Sequence, residues 1–146
     1  MKLIERHHTV YTAQQLFDLV ADVERYPDFL PWVLKAKIFR RNGPTVWTEL
    51  TMGNLIIHKR FTTIATLEKP NRIKIVSYDP IFECFEQEWT FTPARDFGTE
   101  VEYKVDVRLK SRLLQNSIGE LFSERAKTMV KAYLRRAERL YGPRKH

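Results

Sequence analysis

The chain has 146 residues, 43% of them apolar and 29% charged, which is the composition of an ordinary soluble domain with room for a real core. No run of about 18 apolar residues occurs, so a membrane-spanning helix is excluded from the expected elements. The single cysteine, Cys84, excludes an internal disulfide, and the formal charge of +7 leaves anionic lipid, RNA and acidic protein open as partners.

Met1-Lys2-Leu3-Ile4-Glu5-Arg6 has no apolar signal core and carries an early acid, so residues 1–146 are expected to be one domain in a reducing cytoplasm. Residues 2–10 predict a strand and residues 12–23 a helix. Thr12 followed by Gln15 is a capping-box pattern, and Leu16, Leu19, Val20 and Val23 share one face with Asp18, Asp22 and Arg25 turned elsewhere. Pro27 and Pro31 then break the chain twice, while Tyr26, Phe29, Leu30 and Trp32 supply more apolar bulk than a surface loop normally carries. This short helix or turn is expected to cover something, with Leu30, Pro31 and Trp32 as wall or lid residues.

Strands follow over 33–41, 45–52, 58–68, 72–78, 83–92 and 100–109. They are separated by turns at Asn42-Gly43-Pro44, Gly53-Asn54, Lys69-Pro70-Asn71, Asp79-Pro80 and Asp96-Phe97-Gly98. The clearest alternation sets Val101, Tyr103, Val105, Val107 and Leu109 against Glu100, Glu102, Lys104, Asp106 and Arg108, a strand with one dry and one wet face. Leu114, Ile118, Leu121, Phe122, Ala126, Met129, Val130, Tyr133, Ala137, Leu140 and Tyr141 form one helical stripe, ended by Gly142-Pro143. The expected fold class is α+β: a curved antiparallel sheet of six to seven strands wrapped around a long C-terminal helix, with a short helix pair after the first strand.

Motifs of catalysis are scarce. His7 and His8 point to opposite faces of a strand, and no zinc spacing, phosphate loop, dinucleotide fingerprint or nucleophile elbow occurs. Asp18 and Asp22, one helical turn apart, read as a carboxylate pair or as solvated surface charges. No metal site, cofactor or catalytic residue is expected. Aromatic strands with interspersed threonines instead suit an apolar cavity with a few polar anchors. Its candidate lining is Phe61, Thr63, Tyr78, Phe82, Phe85, Trp89, Phe91, Phe122, Met129 and Val130, each alternatively a plain core residue.

The positive charge is uneven. Residues 112–146 hold nine of the 25 Lys and Arg and three of the 18 Asp and Glu, a balance of +6 out of +7. Arg135, Arg136, Arg139, Arg144 and Lys145 could therefore attract an anionic surface, or simply solvate an amphipathic helix. Leu55-Ile56-Ile57, beside His58, Lys59 and Arg60, is either a buried strand start or a hairpin that touches lipid.

The segment Phe17-Asp18-Leu19-Val20-Ala21-Asp22-Val23-Glu24-Arg25-Tyr26-Pro27-Asp28-Phe29-Leu30-Pro31-Trp32 resembles the signature of the coenzyme Q-binding START-like family. That family includes mitochondrial ubiquinone-binding proteins and bacterial relatives described as ribosome-association toxins. Looser matches are Phe61-Thr62-Thr63, Trp89-Thr90-Phe91 and the stretch Phe122 to Tyr133. One turn departs from the family pattern. Relatives tend to carry Asp-Gly-Pro-Phe before the sixth strand, where this chain has Tyr78-Asp79-Pro80-Ile81-Phe82, a loop with less backbone freedom. A serine common after the fourth-strand threonine is Thr63 here, which keeps the hydroxyl.

The resemblance implies a helix-grip fold enclosing a tunnel for a polyprenyl quinone, with ubiquinone as bound ligand rather than cofactor. Thr63, Ser77 and Tyr78 are then the expected donors to the head, and Phe85 or Trp89 its stacking surface. The implied role is a carrier or chaperone that supports respiratory electron transport. It would touch the inner face of the membrane or respiratory complexes transiently, and no DNA is expected as a partner. The alternatives are a ribosome-binding regulator, resting on the basic C-terminal segment, and, more remotely, a polyketide cyclase-like enzyme.

Overall fold

Strand periodicity and short turns produce one seven-stranded, wholly antiparallel sheet. The computed structural model describes residues 1–143, apart from the side chains of Ser117 and Leu121. Its strands are β1 (Lys2–Thr9), β2 (Val33–Asn42), β3 (Thr45–Gly53), β4 (His58–Glu68), β5 (Arg72–Val76), β6 (Phe82–Pro93) and β7 (Thr99–Leu109), in the spatial order β1-β7-β6-β5-β4-β3-β2. β1 and β2 are thus the two edges, and the segment between them must cross the full width of the sheet. That segment holds α1 (Ala13–Ala21) and a 3₁₀ helix (Val23–Asp28). After β7 the chain enters α2 (Arg112–Leu114), passes through one π-helical turn (Gln115–Gly119) and continues as α3 (Glu120–Tyr141).

α1 begins as its sequence dictates. The Thr12 side chain accepts from the Gln15 backbone N–H at 3.1 Å, and the Gln15 side chain accepts from the Thr12 N–H at 3.0 Å, satisfying two orphan donors reciprocally. The helix stops at Ala21, two residues short of the expected Val23, which opens the 3₁₀ helix instead. Tyr26 stitches the two together by donating its hydroxyl to the Val20 carbonyl at 2.5 Å, one of the acceptors that a helix C-terminus leaves open.

β7 carries the expected alternation, with every odd residue from Thr99 to Leu109 buried. The concave face of the sheet continues this parity through Phe85, Trp89 and Phe91 of β6 and Phe61 and Thr63 of β4. α3 lies across that face and, with Ile118 of the π-helical turn before it, buries Phe122, Ala126, Met129, Val130, Tyr133 and Ala137, joined by Ala132 and Leu134. Leu140 and Tyr141, expected on the same stripe, stay partly exposed, and the Leu121 side chain lies outside the described residues. Gly142 ends the helix at a φ of 95°, a backbone state that side chains with a Cβ rarely adopt, and its carbonyl accepts from the Tyr11 hydroxyl at 2.7 Å. Arg144 and Lys145 also lie outside the described residues.

Tyr26→Phe removes the side-chain hydroxyl that ties the 3₁₀ helix to the α1 terminus. It is expected to lower unfolding free energy by about 1–3 kcal/mol, read from urea midpoints at unchanged m-value.

Candidate ligand cavity

One helix cannot cover seven strands, and the site follows from that mismatch. α3 occupies the concavity over β6, β7 and β1. Its Tyr133 ring packs 4.7 Å from Trp89, which in turn packs 4.5 Å from Tyr103. The β3–β4–β5 part of the face is roofed by the end of α1, the 3₁₀ helix and the chain through Val33. Between roof and sheet lies a cavity of about 60 Å³. Its floor is Val46, Thr48, Leu50 and Met52 of β3, Thr63, Ala65 and Leu67 of β4, Ile73 and Ile75 of β5, and Phe85 and Gln87 of β6. Its roof is Val20, Ala21, Val23, Tyr26, Leu30, Trp32 and Val33, and Met129 and Tyr133 close it from α3.

The polar groups in this wall are few. Thr48 and Thr63 stand directly opposite each other across the β3–β4 ladder, 2% and 4% exposed. Gln87 contributes an amide from β6, and the buried Trp32 indole N–H has no acceptor among the described residues. Tyr26 and Tyr133 are the titratable members. Burial holds both phenols well above their ordinary value of 10; for Tyr26 the Tyr133 hydroxyl offsets part of that rise, and for Tyr133 the neighbouring Tyr26 adds to it. Behind them Tyr103 is raised by burial too, and its hydroxyl has no hydrogen-bond partner among the described residues.

Of the residues expected to line a cavity, Leu30, Trp32, Thr63, Phe85 and Met129 form its wall. Others do not. Tyr78 is 81% exposed, because β5 ends at Val76 and the following loop turns it to solvent. Ser77 is buried but donates to the Thr62 carbonyl at 2.6 Å, so its hydroxyl ties the loop to β4. Trp89 lies under α3 against Tyr133, and Phe91 lies under α1, 6.4 Å from Phe17. Phe61, Phe82 and Phe122 pack on one another at 5.1–6.2 Å as an aromatic plug beneath the start of α3, and Val130 is plain core. Pro31 faces outward, in a surface groove with Phe29, Arg135, Arg136 and Arg139.

Sequence reasoning missed Thr48, Ala65, Leu67, Ile73, Ile75 and Gln87. The available signal was strand parity: Ala65 and Leu67 continue the series begun by Phe61 and Thr63, and the register then brings Thr48 opposite Thr63. Asp18 and Asp22 are both exposed. Arg136 is committed locally, pairing with Asp28 at 3.8 Å and lying 5.2 Å over the Phe29 ring. Leu55 and Ile56 are 89% and 90% exposed, which overturns their reading as a buried strand start. Among the described residues no cluster of His, Cys, Asp and Glu could hold a metal ion, and no helix is long and apolar enough to cross a membrane.

Comparison with known proteins identifies relatives along nearly the whole chain. The sequence profile described as polyketide cyclase / dehydrase and lipid transport matches residues 10–133. The ribosome association toxin RatA of Vibrio cholerae serotype O1 is 31% identical over 143 residues, 97% of this chain and 99% of its own length. The mitochondrial coenzyme Q-binding protein COQ10 homolog B of Xenopus laevis is 27% identical over 136 residues, 90% of this chain and 56% of its own length. A START superfamily protein from Mycobacterium smegmatis superposes with a TM-score of 0.79 at 21% identity, covering 95% of this chain and 98% of its own. The Zhui aromatase/cyclase from Streptomyces sp. R1128 gives 0.81 at 15%, covering 95% and 94%. At these identities the two structures show the fold alone.

The buried phenols carry a pH signature. Their folded values exceed the unfolded value of 10, so the stability they support is complete below pH 10 and is lost as pH rises above it. Urea unfolding across that range is expected to show stability falling by about 1.4 kcal/mol per pH unit for each buried tyrosine. Tyr103→Phe should reduce that slope and, by removing an unpaired buried hydroxyl, should leave stability at neutral pH unchanged or raise it.

Proposed function

The chain belongs to the polyketide cyclase / dehydrase and lipid transport family, and we propose that within it this protein binds ubiquinone or a related polyprenyl lipid as a carrier or chaperone. The observation that carries the reading is the composition of the cavity wall. It is aliphatic and aromatic except for Thr48, Thr63, Gln87, the Trp32 indole and the phenols of Tyr26 and Tyr133. A quinone head is flat, apolar at its edges and accepts hydrogen bonds at two carbonyls, and hydroxyl and indole donors suit those carbonyls. A polyprenyl tail gains about 0.8 kcal/mol for each methylene removed from water, which favours a long apolar floor such as that of β3, β4 and β5. The coenzyme Q-binding relative from Xenopus laevis supports the same class of ligand.

The cavity volume of about 60 Å³ sets a condition on this reading. Small-molecule sites are commonly about 300 Å³ or larger, so a ring-sized head enters only as the walls part. Met52 and Met129 are the wall residues best suited to that, since their unbranched thioether chains re-pack at low cost. General acid–base catalysis wants a group titrating near the working pH. The titratable side chains of this wall are tyrosines held protonated, which supports binding over cyclase-like turnover. Redox change then belongs to the quinone and to the enzymes that use it.

Lipid extraction and mass spectrometry of protein purified from a quinone-producing host should find an isoprenoid quinone. Ala65→Phe, which fills the cavity from β4, should abolish recovery while the chain remains folded by circular dichroism. Parent protein that carries no quinone or other isoprenoid sinks the proposal.

A second reading, ribosome binding, is favoured by the identity to the Vibrio cholerae ribosome association toxin and by one feature of α3. Lys127, Lys131, Arg135 and Arg139 are all exposed at four-residue spacing, a basic ridge along the helix. Phosphate contacts weaken steeply with salt. Co-sedimentation with ribosomal subunits should therefore be seen at low salt, fade at high salt and be lost in Lys131→Glu/Arg135→Glu. Absence from the subunit fractions at low salt would reject this reading.

A further inference from the structure

We propose that the β3–β4 hairpin tip is a docking element for bilayers that contain anionic lipid. The tip is built to present side chains outward. Asn54 accepts from the Ile56 and Ile57 backbone N–H groups through its side-chain oxygen at 2.8 and 2.7 Å, and its own N–H donates to the Ile57 carbonyl at 2.8 Å. Gly53 closes the turn at a φ of 131°, where an added Cβ would stand 2.2 Å from the Ile57 carbonyl oxygen. The backbone N–H groups of Asn54, Ile56 and Ile57 are thus satisfied within the turn, while the Leu55 and Ile56 side chains project almost fully into solvent. Two adjacent aliphatic side chains on a self-capped turn gain nothing from water.

Along the hairpin itself the formal charge is of one sign. No acidic residue occurs between Glu49 and Glu68, whereas His58, Lys59 and Arg60 follow the tip directly. Register distributes these cations over both faces of the hairpin. Lys59 lies opposite Met52 and so shares the concave side, while Arg60 lies opposite Thr51 on the outer side, where Lys35 of β2 also pairs with Thr51. Arg125 of α3 completes the concave side, placed 5.2 Å over the Trp32 ring, whose residue accepts the Gly53 N–H at 2.8 Å. Aliphatic tips set in a ring of basic side chains match the boundary between headgroups and acyl chains of an anionic leaflet. RNA or an acidic protein would use the cations but not the aliphatic pair. Arg135 and Arg139, ten and more residues beyond Arg125, lie about 15–20 Å further along the helix and are not part of this surface.

The surface stands whatever the cavity holds, so its test uses vesicles without quinone. The full chain is expected to co-sediment with phosphatidylcholine vesicles containing phosphatidylglycerol and to stay in the supernatant with phosphatidylcholine alone. Leu55→Ser/Ile56→Ser should weaken binding at least about tenfold, given the apolar area withdrawn, with an unchanged thermal melt because both residues are exposed. Lys59→Glu/Arg60→Glu should abolish it, and Leu55→Trp should show a blue-shifted emission on anionic vesicles. The proposal is overturned if the parent does not sediment with anionic vesicles. It is overturned equally if the serine double variant binds as the parent does, or if Leu55→Trp emission does not move, since charge alone would then explain any retention.

Discussion

A single helix is too narrow for the sheet it must cover, and most of this molecule follows from that. Seven strands spaced about 4.8 Å apart span close to 30 Å, whereas an α-helix with its side chains is about 10–12 Å across. α3 sits over β6 and β7, where Trp89 packs tilted on Tyr103 and edge-to-face with Tyr133 in a dense aromatic layer. The remaining concave face, over β3, β4 and β5, would lie open to water if the β1–β2 connection did not cross it. That connection is a nine-residue helix followed by a 3₁₀ helix and a proline-broken stretch, and a roof made of such pieces does not fill the space beneath as one long helix would. The cavity is the residue of that fit.

The roof therefore combines structural and functional demands. Its path is held at several points, among them the Tyr26 hydroxyl on the α1 terminus, the Glu24 carboxylate accepting from the Ile38 N–H of β2, the Arg136–Asp28 pair with its stack on Phe29, and the Gly53 N–H on the Trp32 carbonyl. The last of these joins the roof to the exposed β3–β4 hairpin, so the tip that faces outward and the Trp32 wall of the cavity are mechanically adjacent. Met52, one residue before Gly53, belongs to that wall as well. A ligand delivered from a bilayer at the hairpin would meet the cavity within a few residues of where it left the lipid.

Elements were legible in the sequence wherever one local rule decided them. The Thr12–Gln15 box marks the start of α1, the odd-numbered run of β7 marks a half-buried strand, and Gly142 marks the end of α3. The site was legible only in part, because periodicity assigns a side chain to a face but not to a depth on it. Phe61, Phe82, Phe85 and Phe122 were indistinguishable as a set of aromatics, yet only Phe85 reaches the cavity while the others plug the space under α3. Tyr78 was misassigned because β5 is two residues shorter than its apolar run, and Thr48 was invisible until the register set it against Thr63. The exposure of Leu55 and Ile56 rests on Asn54 capping the turn, a local side-chain–backbone contact that strand periodicity does not carry.

The account rests on the cavity wall being the place where an apolar, carbonyl-bearing head is held. The most direct measurement is a titration of the protein with a short-tailed ubiquinone followed by NMR, observing the Met52 and Met129 methyls, the Thr48 and Thr63 methyls and the Trp32 indole N–H. The account predicts saturable shifts at these groups, with little change at Leu140 or along the exposed ridge of α3. Shifts confined to the Leu55–Ile57 tip, or none at any concentration, would contradict it.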